Sequence, residues 1–230
     1  MNLSQVPLIK PARHAEQNII ISILDGSWPP GTQLPGERDL AAQLGVTRQT
    51  LRETLQRLAQ DRWITICHGK PTVVNDYWQA GGMGILKTMV AFPEFLPAEC
   101  IVHLLEARAI FLPACAAKAV PANPELFLSL LETADTLEES AVAFAAYDWN
   151  LQLRMVKNSA NLIYPLFLND FEPVFAVLGQ YYFTVERGRA GSRRYYKNLA
   201  KAITRKKDVE PVVRQAMEES IRIWKACQKS

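Results

Sequence analysis

The chain has 230 residues, of which 49% are hydrophobic and 21% are charged, and its formal net charge is +3. This composition is typical of a globular protein with one large domain or two modest ones. A net charge this small does not mark a nucleic-acid-binding protein by itself, so the electrostatic evidence for such a partner must be local.

Cysteine spacing and hydropathy exclude several classes of protein. The four cysteines lie far apart and no two share a CxxC spacing, so we expect reduced thiols rather than disulfides or a zinc site. The N-terminus lacks a signal-peptide pattern, and charged residues interrupt every long apolar run. We therefore expect a soluble, cytoplasmic chain without a membrane span.

The chain before Asp61 has the pattern of three helices. Apolar residues recur at helical spacing over 12–25, and a connector rich in proline and glycine follows. A short helix is predicted over 37–44, which Gly45 can end in the left-handed conformation. Thr47 is a good N-cap for the next helix. The apolar stripe of that helix, at i, i+4 and i+7, consists of Leu51, Leu55 and Leu58.

After Asp61 the period changes to that of short strands. The runs WITIC (63–67) and TVVN (72–75) are β-branched or aromatic, and HGKP separates them. They predict a hairpin, or wing, behind a helix-turn-helix, which completes an N-terminal domain of residues 1–75.

The rest of the chain reads as a linker and a helical bundle. Glycines punctuate residues 76–92, which we predict to be the linker. Helical patterns without strand alternation follow over 97–119, 123–139, 141–157, 161–185, 190–206 and 208–228. Pro165 and Pro173 should kink or divide the fourth pattern. The predicted fold is mainly α, with an N-terminal winged helix-turn-helix and a C-terminal all-α, six- to seven-helix, ligand-binding bundle at 93–230.

The start of the third helix carries side chains that can read DNA. A helix in the major groove reaches base edges from its N-terminal turn. Arg48 and Arg52 can make bidentate contacts to guanine, Gln49 can pair with adenine, and Thr50 can touch a thymine methyl or a phosphate. Thr47 and the free N–H groups of the helix start suit a phosphate oxygen.

Two further places suit DNA contact. Arg38 lies near the start of the preceding helix. The predicted wing tip consists of His68, Gly69 and Lys70. A glycine there allows close approach to the minor groove while the flanking basic residues hold phosphates. Charged helix residues are more often solvated surface, which is our interpretation of Arg57 and Arg62.

The stretch WPPGTQLPGERDLAAQLGVTRQTLRETLQRLAQDRWITICHGKPTVVN resembles the winged-helix domain of the GntR family of bacterial regulators. VTRQTLRE and HGKPT resemble its fatty-acid-responsive FadR subfamily. The similarity continues through YDWNLQLRMVKNSANLIYPLFLNDF, LGQYYF and ESIRIW, and so covers nearly the whole chain.

The resemblance implies a homodimer on a short palindromic operator in double-stranded DNA. The positions that match the subfamily's DNA contacts are Arg38, Thr47, Arg48, Gln49, Thr50, Arg52, His68, Gly69 and Lys70. The subfamily has threonine at the position of Gln49, which affects base preference there.

Most GntR regulators with this kind of helical domain hold a divalent metal through one aspartate and three histidines. Here Asp148 matches the aspartate, but the other positions are Asn150, Lys197 and Glu219. A metal needs imidazoles or carboxylates that converge, and a lysine would oppose the cation. We expect neither a metal nor a cofactor, and we expect a polar, hydrogen-bonded network around Asp148 and Asn150.

The last predicted helix places a lone hydroxyl among large apolar groups. Val213, Met217, Ser220 and Trp224 follow at i, i+4, i+7 and i+11. Such a face is either ordinary core, with Ser220 bonded to a backbone carbonyl, or the wall of an apolar ligand site.

The resemblance favours a ligand site. Ser220 and Trp224 match positions of the subfamily that affect its response to acyl-coenzyme A. Tyr182 and Arg108 match positions implicated around that ligand. Met217 replaces a glycine of the subfamily and would shrink a pocket. From the residues alone, Arg108 either forms an ion pair with Glu106 or Glu99 or contacts the ligand. The expected ligand-binding residues are Arg108, Tyr182, Met217, Ser220 and Trp224.

We hypothesise a transcriptional regulator of fatty-acid metabolism that long-chain fatty acyl-CoA releases from operator DNA. The alternative is a GntR regulator that senses another metabolite, such as a small carboxylate. An enzyme acting on acyl-CoA thioesters would need a nucleophile and a base in a cleft. Cys100 and His103 are neighbours on one apolar-looking helix, so we expect no catalytic residue.

Overall fold

The computed structural model describes residues 10–67, 69–97 and 99–227. The chain divides into two compact units, residues 1–95 and residues 96–230. The predicted mainly α fold, a winged helix-turn-helix followed by a helical bundle, is confirmed.

The first unit begins with the three predicted helices, α1 (Pro11–Leu24), α2 (Glu37–Gln43) and α3 (Arg48–Gln60). Gly45 has a φ of 65°, the left-handed conformation that turns the chain between α2 and α3. Thr47 is the N-cap of α3, and its Oγ1 accepts a hydrogen bond from the backbone N–H of Thr50 at 3.1 Å. The buried stripe of α3 packs against α1 and α2 and includes Leu51, Leu55 and Leu58.

The wing follows α3 as a short antiparallel pair, β1 (Ile64–Thr65) and β2 (Val73–Val74). Ile64 pairs with Val74, and Gln33 adds a bridge to Val73 on the other side. The alternation of the strand places Ile64 inside and Thr65 outside. The hairpin therefore follows the helix-turn-helix directly in the chain, as predicted.

Residues 76–92, predicted as a linker, contain two short helices, α4 (Tyr77–Ala80) and α5 (Met83–Met89). The glycines alone indicated an irregular chain, but the Asp76 carboxylate caps α4 by accepting from the N–H of Trp78 at 3.2 Å. The end of α3 contacts this segment. Arg62 donates from Nη1 to the carbonyl of Ala80 at 3.3 Å, and a Cβ on Gly84 would lie 2.6 Å from Oδ1 of Asp61.

The second unit is a bundle of long helices that follows the six predicted patterns. These helices are α6 (Cys100–Ala122), α7 (Pro124–Glu132), α8 (Ala141–Lys157), α9 (Tyr164–Thr184), α10 (Glu186–Thr204) and α11 (Glu210–Cys227), with a 3-10 turn at Thr133–Thr136. Pro165 lies in the first turn of α9, where a missing N–H costs nothing. Pro173 lies inside α9 and does not divide it, contrary to one of the two outcomes that we predicted.

α6 is long and apolar enough to cross a membrane, although its charged residues led us to expect no such segment. The same properties are normal for the central helix of a soluble bundle. α6 packs against α11 and α8, and Leu112, Cys115, Ala116 and Ala119 are fully buried. Length and composition are therefore weak evidence for a membrane span here.

Candidate functional site

The predicted DNA-reading residues of the helix-turn-helix share one exposed surface. Arg48, Gln49 and Arg52 are exposed on the first turns of α3, and Thr50 is half-buried beside the cap. Thr47 and Thr50 also share a hydrogen bond between their hydroxyl oxygens, which are 2.9 Å apart. Both threonines are thus part of the helix cap, whereas Arg48, Gln49 and Arg52 present longer side chains on the exposed face of α3.

Carboxylates accompany the cations of this surface. Arg38 pairs with Asp39 at 2.9 Å, and Arg52 pairs with Glu37 of α2 at 3.2 Å between Nε and Oε2. The arginine side chains are 75% and 65% exposed, so each pair contributes at most about 1 kcal/mol to stability. Either guanidinium can therefore exchange its carboxylate for a phosphate or a base at small cost.

The described residues of the wing tip are exposed, whereas a later arginine of α3 has a structural role. Gly69 is exposed with a φ of 69°, and Lys70 is exposed beside it. His68 lies outside the described residues. We call the exposed face that carries Arg38, Arg48, Gln49 and Arg52 the reading surface. Arg57 does not belong to it, because Arg57 pairs with Glu16 of α1 at 3.0 Å and joins two helices.

A buried polar cluster lies at the centre of the second unit. Asp148 of α8 accepts three hydrogen bonds, from Arg108 Nη1 at 3.2 Å, Gln152 Nε2 at 2.6 Å and Tyr196 OH at 3.1 Å. Burial raises the pKa of the Asp148 carboxyl, while Arg108, Tyr196 and Gln152 oppose that shift by stabilising the charged form. The predicted polar network around Asp148 is present.

Arg108 connects this cluster to α11. Its Nη2 donates to Ser220 Oγ at 2.8 Å, and Ser220 donates in turn to the carbonyl of Met217 at 2.6 Å. Of the two alternatives for Arg108, the ion pair with Glu106 or Glu99 is not the arrangement observed, because Arg108 pairs with buried Asp148, 40 residues away, while Glu106 pairs with Lys225.

Asn150, the other expected member of the network, and the two remaining positions that were compared with metal ligands lie elsewhere. Asn150 accepts from Arg154 on the outer side of α8, so its inclusion is wrong. Lys197 pairs with Asp135, and Glu219 pairs with Arg194. Within the described part of the chain, no three His, Cys, Asp or Glu side chains come together as a metal site would require. Of the four positions compared with metal ligands, Asp148, Lys197 and Glu219 form separate ion pairs and Asn150 forms a hydrogen bond.

The remaining predicted ligand residues surround the Arg108–Ser220 contact. Tyr182 and Trp224 are buried with ring centroids 6.1 Å apart, and Met217 is 3% exposed. Two donor atoms buried here, Arg108 Nε and Trp224 Nε1, have no hydrogen-bond partner in the described residues. Such groups are uncommon in folded proteins and indicate a place where a further polar partner fits.

An apolar cavity of about 70 Å³ lies between α6, α8 and α9. Aliphatic and aromatic residues form most of its wall, and the aromatic ones include Phe111, Trp149, Phe171 and Phe175. Sequence reasoning missed it. The available signal was that α9 is apolar nearly all round and contains a glycine, Gly179. In the structure a Cβ on Gly179 would lie 2.8 Å from the ring of Phe175.

The cavity adjoins two further spaces. Arg108 and Tyr182 also line a narrow neck of about 20 Å³, together with Met217 and Ser220. The neck shares Tyr195, Ala216 and Glu219 with a groove of about 300 Å³ between α10 and α11. The basic residues of this groove are Arg194, Lys201, Arg205 and Lys207. They are three separate pockets in a row that share lining residues, and we refer to this row as the apolar-to-basic channel.

The cysteine and histidine considered for catalysis lie in different environments. Cys100 is buried and burial raises the pKa of its thiol, whereas His103 is exposed on the same helix. A raised pKa disfavours the thiolate that nucleophilic chemistry requires.

Comparisons with known proteins agree with this architecture. The gntR family of bacterial regulatory proteins matches residues 11–74, and the FadR C-terminal domain matches residues 75–230. The chain is 40% identical over 217 residues to the fatty acid metabolism regulator protein of Shewanella denitrificans, covering 93% of this chain and 90% of that one. It is 38% identical over 222 residues to the protein of the same name from Klebsiella pneumoniae, covering 96% and 93%.

Solved structures support the fold alone. The structure of Lar, which controls the expression of the Listeria monocytogenes agr system, has a TM-score of 0.58 and 15% identity over 97% of this chain and 96% of that chain. The family is one of transcriptional regulators that bind operator DNA. The chain therefore belongs to the fatty acid metabolism regulators of the GntR family and is a DNA-binding transcriptional regulator of fatty-acid metabolism.

Proposed function

We propose that this regulator is a cytoplasmic homodimer that binds a palindromic operator and is released from it by a long-chain fatty acyl-CoA. Two copies of α3 would occupy successive major grooves, about one helical turn apart. The DNA contacts would come from Arg38, Thr47, Arg48, Gln49, Thr50, Arg52, His68, Gly69 and Lys70. Repressor or activator action then depends on where the operator lies at each promoter.

The observation that carries the effector proposal is the apolar-to-basic channel. An acyl-CoA combines a long apolar chain with a phosphate-rich head, and the channel offers an apolar cavity, a polar neck and a basic groove in that order. The acyl chain would enter the cavity, Arg108 and Ser220 would face the thioester region, and Lys201 and Arg205 would face phosphates.

The size of the cavity explains how binding can change the protein. Ligand pockets are usually about 300–1,000 Å³, so a cavity of about 70 Å³ must expand to hold a long chain. The side chains that would repack during this expansion are those of Met217, Tyr182 and Trp224. An effector shifts an equilibrium only if it binds one arrangement more tightly, and a ligand that requires an expanded bundle satisfies this condition.

Fluorescence anisotropy of a labelled operator duplex tests the proposal. Saturating oleoyl-CoA should weaken operator binding by about 5- to 150-fold, the usual range of allosteric coupling. Free oleate, free coenzyme A and small carboxylates are the comparison ligands. Unchanged affinity at saturating oleoyl-CoA would contradict the effector and leave DNA binding intact, whereas release by a small carboxylate alone would favour the alternative sensor.

Charge reversal in the groove sharpens this test. Lys201→Glu with Arg205→Glu should weaken the oleoyl-CoA response and leave any response to free oleate unchanged, because only the head group reaches the groove. Lys118→Glu with Lys157→Glu, at two exposed lysines of α6 and α8 outside the groove, makes the same change of charge and is the matched control. Equal responses from both variants would exclude the basic groove as the head-group site.

A further inference from the structure

A carboxylate lies on the surface of α3 that approaches DNA. Gln49 donates from Nε2 to Oε1 of Glu53 at 2.8 Å, one helical turn further along the exposed face. Both residues are exposed. A negative charge here is repelled by phosphates and lowers affinity for every DNA sequence. Its benefit must therefore come from something other than affinity.

The chemistry of the pair determines what Gln49 can present to a base. An ionised carboxylate only accepts hydrogen bonds, so it holds the NH₂ end of the glutamine amide toward itself. Oε1 and the second N–H of Nε2 stay available. One acceptor beside one donor complements adenine, which offers the N6 amine and the N7 acceptor in the major groove. Guanine offers two acceptors, and the fixed amide would set its oxygen against one of them.

We propose that Glu53 is a positioning residue that determines specificity: it fixes the amide of Gln49 so that α3 selects adenine over guanine at one position of each operator half-site. The inference rests on the proposed role of Gln49 as a base reader. Glu53 itself need not touch DNA.

An ordinary helix-stabilising role makes a different prediction. Glutamine and acidic side chains at i and i+4 stabilise a helix slightly. Loss of such a pair would lower thermal stability a little and leave base preference unchanged. Base preference is therefore the measurement that separates the two roles.

The test uses the full chain and a randomised double-stranded DNA library, with bound duplexes selected and sequenced. Glu53→Gln keeps the size of the side chain, but its amide can accept or donate and no longer fixes Gln49. The ratio of adenine to guanine at one position per half-site should fall about tenfold, the equivalent of one hydrogen bond to a charged group. Preferences at the other positions should stay as in the wild type.

Two variants control this result. Glu94→Gln removes the same charge from an exposed site of the same unit outside α3, and its preference profile should match the wild type. Gln49→Ala should abolish the preference at the position that Glu53→Gln alters.

Two outcomes would overturn the inference. In the first, Glu53→Gln keeps the wild-type profile while Gln49→Ala changes it, so Glu53 does not act through Gln49. In the second, Gln49→Ala changes no position, which removes Gln49 as a reader as well. Selection of one operator by the wild-type chain would still support sequence-specific DNA binding in either case.

Discussion

The reading surface of α3 and the cluster around Asp148 use the same chemistry in opposite environments. Both join arginines to carboxylates, but Arg52 is 65% exposed whereas Arg108 is 12% exposed. Exposed pairs are screened by water and exchange partners at little cost. A buried pair is costly to break, because the charge that remains has no water to replace its partner. The exposed pairs suit transient contact with DNA, and the buried pair suits a core with few alternative arrangements.

The largest expected effect comes from breaking the buried pair. Arg108→Ala leaves the Asp148 carboxylate buried with one donor fewer and should lower the free energy of unfolding by about 3–5 kcal/mol. Urea unfolding followed by circular dichroism measures this. Lys225→Ala removes the exposed pair with Glu106 and should cost at most about 1 kcal/mol. Equal costs would show that burial does not distinguish the two environments.

A smaller effect is expected on the reading surface, and it concerns DNA rather than stability. Arg48→Ala removes one bidentate base contact and should reduce operator discrimination by about 1–3 kcal/mol while the unfolding transition stays unchanged. Anisotropy with operator and scrambled duplexes gives the discrimination. Arg57→Ala, on the same helix but paired with Glu16, is the control. If the Arg48 variant still prefers the operator as strongly as the wild type, α3 is not placed in the groove as we propose.

The smallest expected effect is at the helix cap. Thr47→Ala removes the acceptor for the N–H of Thr50 and should cost about 1 kcal/mol of stability. Thr47→Ser keeps that acceptor and should retain most of the stability. Thermal unfolding compares the variants. A cost near zero for alanine would indicate that water replaces the cap fully at this exposed helix start.

Local features of the first unit could be predicted directly from the sequence. Gly45, Thr47 and the stripe from Leu51 to Leu58 act through neighbours within one or two helical turns, so their spacing contains the information. The six helices of the bundle could be predicted for the same reason, because their apolar spacing is local. α4 and α5 were not predicted. The cap at Asp76 accounts for α4, whereas α5 begins after Gly82 without a side-chain cap and has no such local signal.

Contacts between distant segments could not be read from spacing. Arg108 meets Asp148 and Ser220 only after α6, α8 and α11 have packed. Spacing along α6 could offer only nearby Glu99 or Glu106 as an ion-pair partner, and Glu106 pairs with Lys225 instead. The channel was missed for the same reason, since its walls come from five helices. The roles of the predicted DNA and ligand residues stay predictions until the binding experiments are done.

The carboxylates beside Arg38, Gln49 and Arg52 have a consequence for the search along a genome. Non-specific binding depends almost entirely on unpaired positive charge, and it retains a regulator on the many sequences that are not its operator. A reading surface that neutralises much of its own charge dissociates from those sequences quickly. On an operator Arg38 and Arg52 would exchange their carboxylates for phosphates or bases while Glu53 keeps its contact with Gln49, so residence time there would depend on the sequence. Low net charge is then an advantage for a protein that must find few sites among many.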